Sequence, residues 1–251
     1  MSDHIKSLTW LTDLHLEFCS HRTRNQLYQS INQAAGEIVV ITGDLSAGPH
    51  RLAQYTELAE QIRKAVYFVL GNHDRYGTTF ANAEAVVERV TTLFSHMVRL
   101  DGSQLIPLNK SVALVGVDGW ADGLGGEGPA TKARINDFYQ ILDFATDPEP
   151  QVFREMKERA RKYRLALKPS LLEALKQYQT TIIATHVPPC SVPNRVNLVF
   201  RRLQRERNAF PNEGEEGWRS WLALERMMVI NDFGGERQRP GCAVWCCDRL
   251  G

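Results

Sequence analysis

Four short segments carry side chains able to hold a metal ion or move a proton, and each follows a run of apolar residues. They are Thr12-Asp13-Leu14-His15, Thr42-Gly43-Asp44, Gly71-Asn72-His73-Asp74 and Thr185-His186-Val187-Pro188-Pro189. Asp13, Asp44, Asn72, His15, His73 and His186 mix hard oxygen donors with imidazole, a set suited to Mn, Fe, Zn or Mg rather than to a thiolate site. In Asp13-x-His15 both side chains leave the same side of an extended chain and can grip one ion. Gly43 and Gly71 permit tight turns that bring backbone close to such a site. Each piece alone is ordinary. Gly-Asp is usually a turn, Asn72 suits a left-handed turn position, and a lone His186 is a capping or core histidine. All four in order, each behind an apolar run, specify a metal site.

The runs that must position them cover residues 8–11, 37–41, 66–70, 112–117 and 181–184, short and rich in β-branched or aromatic side chains. They read as buried strands. Between the first pair, Leu27, Tyr28, Ile31 and Ala35 recur at helical spacing, with Gly36 as a C-terminal stop. Pro49 can open a second helix with Leu52, Tyr55, Ala59 and Ile62 on one face, and a third covers residues 80–94. Strand–helix alternation predicts an α/β domain with mostly parallel connections. In such sheets functional groups gather at the carboxyl ends of the strands, where all four segments lie. Residues 119–150 read as a long irregular loop. Phe153, Met156, Ala160, Tyr163 and Leu167 form an apolar stripe on a basic helix that Pro169 is expected to break before another helix begins.

The bulk figures set the limits. The chain has 251 residues, 30 Lys+Arg against 29 Asp+Glu, and a formal charge of +1. That balance argues against a protein that coats polyanions by bulk positive charge. No stretch of about 18 apolar residues suggests a membrane span. MSDHIKSLTW lacks the basic and apolar regions of a secretory signal, and five cysteines do not suggest a disulfide framework. The expectation is a cytoplasmic globular protein. All seven histidines lie at or before His186, whereas every basic residue after it is an arginine. The chain therefore divides into residues 1–189, bearing the motifs, and an atypical segment 190–251. Lysine vanishes there while Arg, Trp and Cys rise, as a shifted reading frame or a divergent replacement would produce.

In these motifs, from about residue 8 to 189, the sequence resembles the calcineurin-like metallophosphoesterases. The resemblance implies a four-layer α/β/β/α sandwich, two mixed sheets flanked by helices, with two divalent metal ions at one edge. Asp13 and His15 would hold one ion, Asp44 would bridge both, and Asn72 and His186 would hold the second. His73 would contact the phosphate and protonate or stabilise the leaving oxygen. Two ions about 3.5–4 Å apart lower the pKa of a bridging water and clamp an in-line displacement at phosphorus. The implied partner is a phosphate-ester substrate, a monoester or a diester. Nucleotides, nucleic-acid ends, phosphoproteins and lipid precursors are equally compatible, and no oligomeric state is implied.

The family pattern closes with Gly-His-x-His, and no histidine follows His186. Each ion would thus lack one imidazole. The nearest equivalent by position is the C-terminal stretch Ala243-Val244-Trp245-Cys246-Cys247-Asp248, where Cys246, Cys247 and Asp248 are the available substitutes. The competing class is a degenerate, non-catalytic relative or binding module with an incomplete metal site. Arg75 and Tyr76, just past His73, are candidate substrate contacts. Trp120 is another, in a loop resembling a substrate-side loop of some bacterial members. Asp74 reads either as a partner of the His73 ring or as an exposed turn residue.

Overall fold

The computed structural model describes residues 5–122, 135–145, 149–187, 227–230 and 244–247. Three strands follow expected apolar runs, β1 (Leu8–Leu11), β2 (Ile38–Thr42) and β3 (Ala65–Val69), and the short β4 (Met97–Arg99), which no expected run covers, joins them in the first sheet. They are parallel to one another. The crossovers are helices α1 (His21–Gln33), α2 (Arg51–Gln61) and α3 (Phe80–Leu93). Side-chain oxygens start two of them: Ser20 accepts from the Thr23 N–H at the head of α1, and Thr79 from the Asn82 N–H at the head of α3.

The second sheet contains β5 (Ile106–Pro107), β6 (Val112–Gly116), β7 (Thr180–Ala184) and β8 (Met227–Ile230), in that order. Strand β9 (Val244–Cys247) joins the edge of the first sheet, antiparallel to β1. Two strands from beyond residue 189 thus pair with strands of the motif-bearing part.

Alternation along the strands produces the layers. Val39, Ile41, Val66 and Phe68 face Tyr28, Ile31, Leu58 and Val87 of α1–α3. Their neighbours Ile38, Val40, Tyr67 and Val69 turn the other way and pack against Leu114, Ile182 and Ala184 of the second sheet. The outer face of that sheet, through Ala113, Val115 and Ile183, packs on Leu167, Leu171 and Ala174 of a long helix. The result is the α/β/β/α sandwich. Each buried Val, Leu, Ile or Phe here contributes about 1.5–3 kcal/mol.

Besides β4 and β5, which the sequence reading does not foresee, two further features differ from it. Residues 119–150 are not all irregular, since α4 (Asp137–Gln140) and α5 (Leu142–Ala145) lie within them. The expected break at Pro169 is also absent, and α6 (Glu149–Gln177) runs through it as one helix. Pro169 and Leu165 lie on the exposed face, where water can satisfy the carbonyl that loses its N–H partner. Ser170, on the buried side, donates to the carbonyls of Gly102 and Leu167 and ties the same turn to the body.

Candidate metal centre

The ends of β1 and β2 continue as two loops laid side by side. The Asp13 N–H donates to the Gly43 carbonyl, that of His15 to Asp44, and that of Leu16 to Leu45. The path forces Asp13 (φ 54°), His15 (φ 44°) and Asp44 (φ 54°) into the left-handed region. Non-glycine residues rarely adopt it, and it costs about 1–3 kcal/mol each unless the surroundings hold it. Much of that holding comes from Asp74. Its buried carboxylate accepts the N–H groups of Asp44, Leu45, Ser46 and Gly71 together with the Tyr55 hydroxyl. Asp74 is therefore neither an exposed turn residue nor a partner of the His73 ring; it clasps the two loops from below.

Asp13, His15, Asp44, Asn72, His73 and His186 all converge on this edge. Asp44 is central and 2% exposed. Its Oδ2 lies 3.7 Å from His15 Nε2, which is 3.8 Å from Asp13 Oδ1. Its Oδ1 lies 3.6 Å from His186 Nε2, which is 3.1 Å from Asn72 Oδ1. One carboxylate thus faces two separate donor groups, one through each oxygen. Donors about 2.0–2.2 Å from a common ion stand about 3–3.5 Å apart, so both groups are near the spacing a cation needs.

The imidazoles are turned for the task. His186 Nδ1 lies 2.8 Å from the Thr42 carbonyl, which can only accept, so Nδ1 carries the proton and Nε2 presents a lone pair. That lone pair meets the oxygens of Asn72 and Asp44, an arrangement of acceptors that a cation resolves. His15 Nδ1 lies 3.2 Å from Glu17 Oε1, and Glu17 Oε2 accepts the Ala47 N–H. Glu17 so orients the ring with Nε2 toward Asp13 and Asp44. The glycines are required by space. A Cβ on Gly71 would strike the Asp44 carboxylate, and one on Gly43 (φ 97°) would lie 2.5 Å from His186 Nδ1.

The electrostatics agree with this geometry. Burial opposes a charge on His15, but hydrogen bonds to Asp13 and Glu17 and the charge of Asp44 overcome it and raise its pKa to about 10. Burial also raises Asp44, with the charges of Asp74 and Asp13 adding to it against the pull of His186. The edge holds surplus negative potential. His73 is shifted the other way, by burial and by His15, which keeps its ring neutral. Its ring stands edge-on to His15 at 4.7 Å and stacks on Tyr76 at 4.1 Å, while its backbone N–H donates to Asp44 Oδ1.

Two candidate substrate contacts are corrected. Arg75 has no exposed surface; its guanidinium donates to the Asp118 carboxylate, the Gly71 carbonyl and the Tyr163 hydroxyl. Trp120 is buried against Phe80 and Phe144, with the Arg75 guanidinium 5.6 Å from its ring. Both support the site from within. Tyr76 stays at the edge, half-buried beside His73.

The position assigned to the missing last motif is also corrected. Along the antiparallel β9, Val244 pairs with Leu11 near the candidate ligands, whereas Cys247 pairs with Leu8 at the opposite end of β1. Cys246 and Cys247 are carried away from the edge, so they are not substitutes. Cys190, Cys242 and Asp248 lie outside the described residues. The strand that leads to the ligand edge is β8, parallel to β7 with Ile230 level with Ala184. The chain after Ile230 lies outside the described residues as well. Sequence reasoning misses Glu17 and also Asp137, whose Oδ1 accepts from Asn72 Nδ2 at 2.7 Å. A carboxylate two residues past a candidate ligand histidine could have pointed to Glu17; nothing local marks Asp137.

The calcineurin-like phosphoesterase family model matches residues 7–201. Among solved structures the chain is similar to the TT1561 protein of Thermus thermophilus, at 11% identity and TM-score 0.50 over 96% of this chain and 88% of that one. It is also similar to a phosphopantetheinyl hydrolase from Mycobacterium tuberculosis, at 14% identity and TM-score 0.48, covering 74% and 70%. No curated protein matches it. No helix among the described residues is long and apolar enough to cross a membrane. With the family model covering most of the chain and its motif residues converged on one edge, the protein belongs to the calcineurin-like phosphoesterases, hydrolases of phosphoric esters.

Proposed function

We propose that this chain hydrolyses a phosphomonoester or phosphodiester with two divalent cations bound at the ligand edge. The observation that carries the reading is Asp44, whose two carboxylate oxygens face different donor groups. Asp13, His15 and Asp44 would hold one cation, and Asp44, Asn72 and His186 the other. The oxygen and imidazole donors suit Mn, Fe, Zn or Mg. When bound, such ions supply Lewis acidity toward the phosphoryl oxygens and a nucleophile at neutral pH. The protein's part is positional. Asp74 and the glycines fix the loops, Glu17 and the Thr42 carbonyl fix the imidazoles, and the neutral His73 ring offers an N–H to a phosphate oxygen or the leaving group.

A second reading is a binding module without turnover. It is favoured by the absence of histidine from residues 187–251, a stretch in which the family pattern would supply two further imidazoles. Metal analysis combined with hydrolysis of a chromogenic phosphodiester in added Mn separates the two. Two ions per chain, with hydrolysis falling at least about 1,000-fold in Asp44→Ala, are expected for the enzyme, since each ion is worth several kcal/mol to the transition state. Absence of stoichiometric metal would overturn it.

A further inference from the structure

The amide of Asn72 has a choice that matters. Only its oxygen can serve a cation beside His186 Nε2 and Asp44 Oδ1, and a half-turn about the last torsion would present the NH2 group instead. The decision is made on the far side of the amide. Asn72 Nδ2 donates to Asp137 Oδ1 at 2.7 Å and to the Tyr76 hydroxyl at 3.1 Å. A flipped amide would set its oxygen against the Asp137 carboxylate. The same Oδ1 accepts the Tyr76 hydroxyl at 2.6 Å, and the Tyr76 ring is the one stacked on His73. One carboxylate oxygen therefore fixes Asn72 directly and the plane of His73 through Tyr76.

Asp137 is not there by chance of a loose loop. The element that carries it is clipped to the residues just past His73: the Gly77 N–H donates to the Gln140 carbonyl, and the Leu142 N–H to the Thr78 carbonyl. The Phe80 N–H at the head of α3 donates to Asp143 Oδ2. These bonds register α4 and α5 against residues 77–80 and hold Asp137 buried over Asn72. The backbone thus presets a contact between side chains 65 positions apart.

We propose that Asp137 is a positioning residue of the metal centre, holding the Asn72 amide with its oxygen toward His186 and Asp44 and, through Tyr76, holding the His73 ring. The inference rests on the two-cation reading above. Mn binding by the full chain, followed by calorimetry and by the EPR signal of free Mn, tests it alongside thermal melts of the metal-free proteins. Asp137→Ala is expected to weaken one of the two Mn sites about 10–100-fold and leave the other unchanged, the usual effect of losing an outer-shell partner. Asp137→Asn keeps an oxygen able to accept both bonds and is expected to restore that site to within about threefold of wild type. A role in folding alone would lower the melting temperature without selecting one site. Wild-type affinity at both sites in Asp137→Ala overturns the inference, as does a loss in Asp137→Asn as large as that in Asp137→Ala. If Asp137→Ala does not fold, the Asn variant decides, because loss of a site there contradicts the proposal and retention supports it. No stoichiometric Mn in the wild type would instead overturn the two-cation reading itself, and this inference with it.

Discussion

Two charge clusters, one at the ends of β3, β4 and β6 and the other at the ends of β1 and β2, are completed in opposite ways. In one, Arg75 and Arg99 converge on Asp118, with Glu84 beside them. The Asp118 carboxylate also accepts the Leu70 N–H, so the cluster binds the end of β3 to the end of β6. Its cations are covalent parts of the chain. In the other, Asp13, Glu17 and Asp44 surround His15, whose imidazole carries a positive charge only while it holds a second proton. The first cluster is an internal joint. The second is balanced by an exchangeable proton, and a metal ion can take that proton's place.

Removing one member of the joint is expected to have the largest effect on stability. Asp118→Ala leaves the buried Arg75 guanidinium and the partly buried one of Arg99 without that carboxylate, a loss of about 3–5 kcal/mol that urea unfolding would register. Mn should not selectively repair it: the midpoints of wild type and variant should rise together, and a rise confined to one would show the clusters to be coupled. Gly71→Ala acts on the other cluster. The added methyl displaces the Asp44 carboxylate, so Mn affinity is expected to fall about 10–100-fold with a smaller change in unfolding. Unchanged affinity in a calorimetric titration would mean the loop can yield.

The smallest effect is the most discriminating, because the two clusters have opposite pH signatures. Burial raises the Asp118 pKa, but Arg99, Arg75 and hydrogen bonds reverse this and lower it. Its contribution is complete above the ordinary carboxylate value and lost as pH falls through the lowered one. His15 is raised from 6.5 to about 10, so its contribution is complete below 6.5 and lost as pH rises through about 10. Unfolding midpoints of metal-free protein should therefore decline at both ends. The alkaline decline should vanish in His15→Gln while the acid decline stays; an alkaline decline that persists would place its origin elsewhere.

The contrast also explains what the sequence could and could not reveal. The candidate metal edge is legible because apolar runs such as 37–41 and 181–184 make strands, and α/β topology puts their ends together. Asp74 and Arg75 mislead for a common reason: charged residues default to the surface, and their partners here come from distant strands and loops. Asp137 faces Asn72 only after α4 docks on residues 77–80, which no local pattern encodes. The C-terminal strands illustrate the same limit. Their composition is compatible with strands, but does not show that β8 adds beside β7 while β9 runs backwards along β1. Expecting a break at Pro169 assumes that the freed carbonyl is buried, and here that face is wet.

The left-handed backbone at Asp13, His15 and Asp44 has one more consequence. Glycine would occupy each of these positions with less strain, so selection for stability alone would favour replacing them. Under the proposed function, keeping an aspartate or histidine there sacrifices folding free energy to keep a donor atom in place. The strain is already present before an ion arrives, so binding does not have to create the geometry. If the proposed metal centre forms here, these three positions are where drift toward a more stable fold and loss of that centre would be the same step.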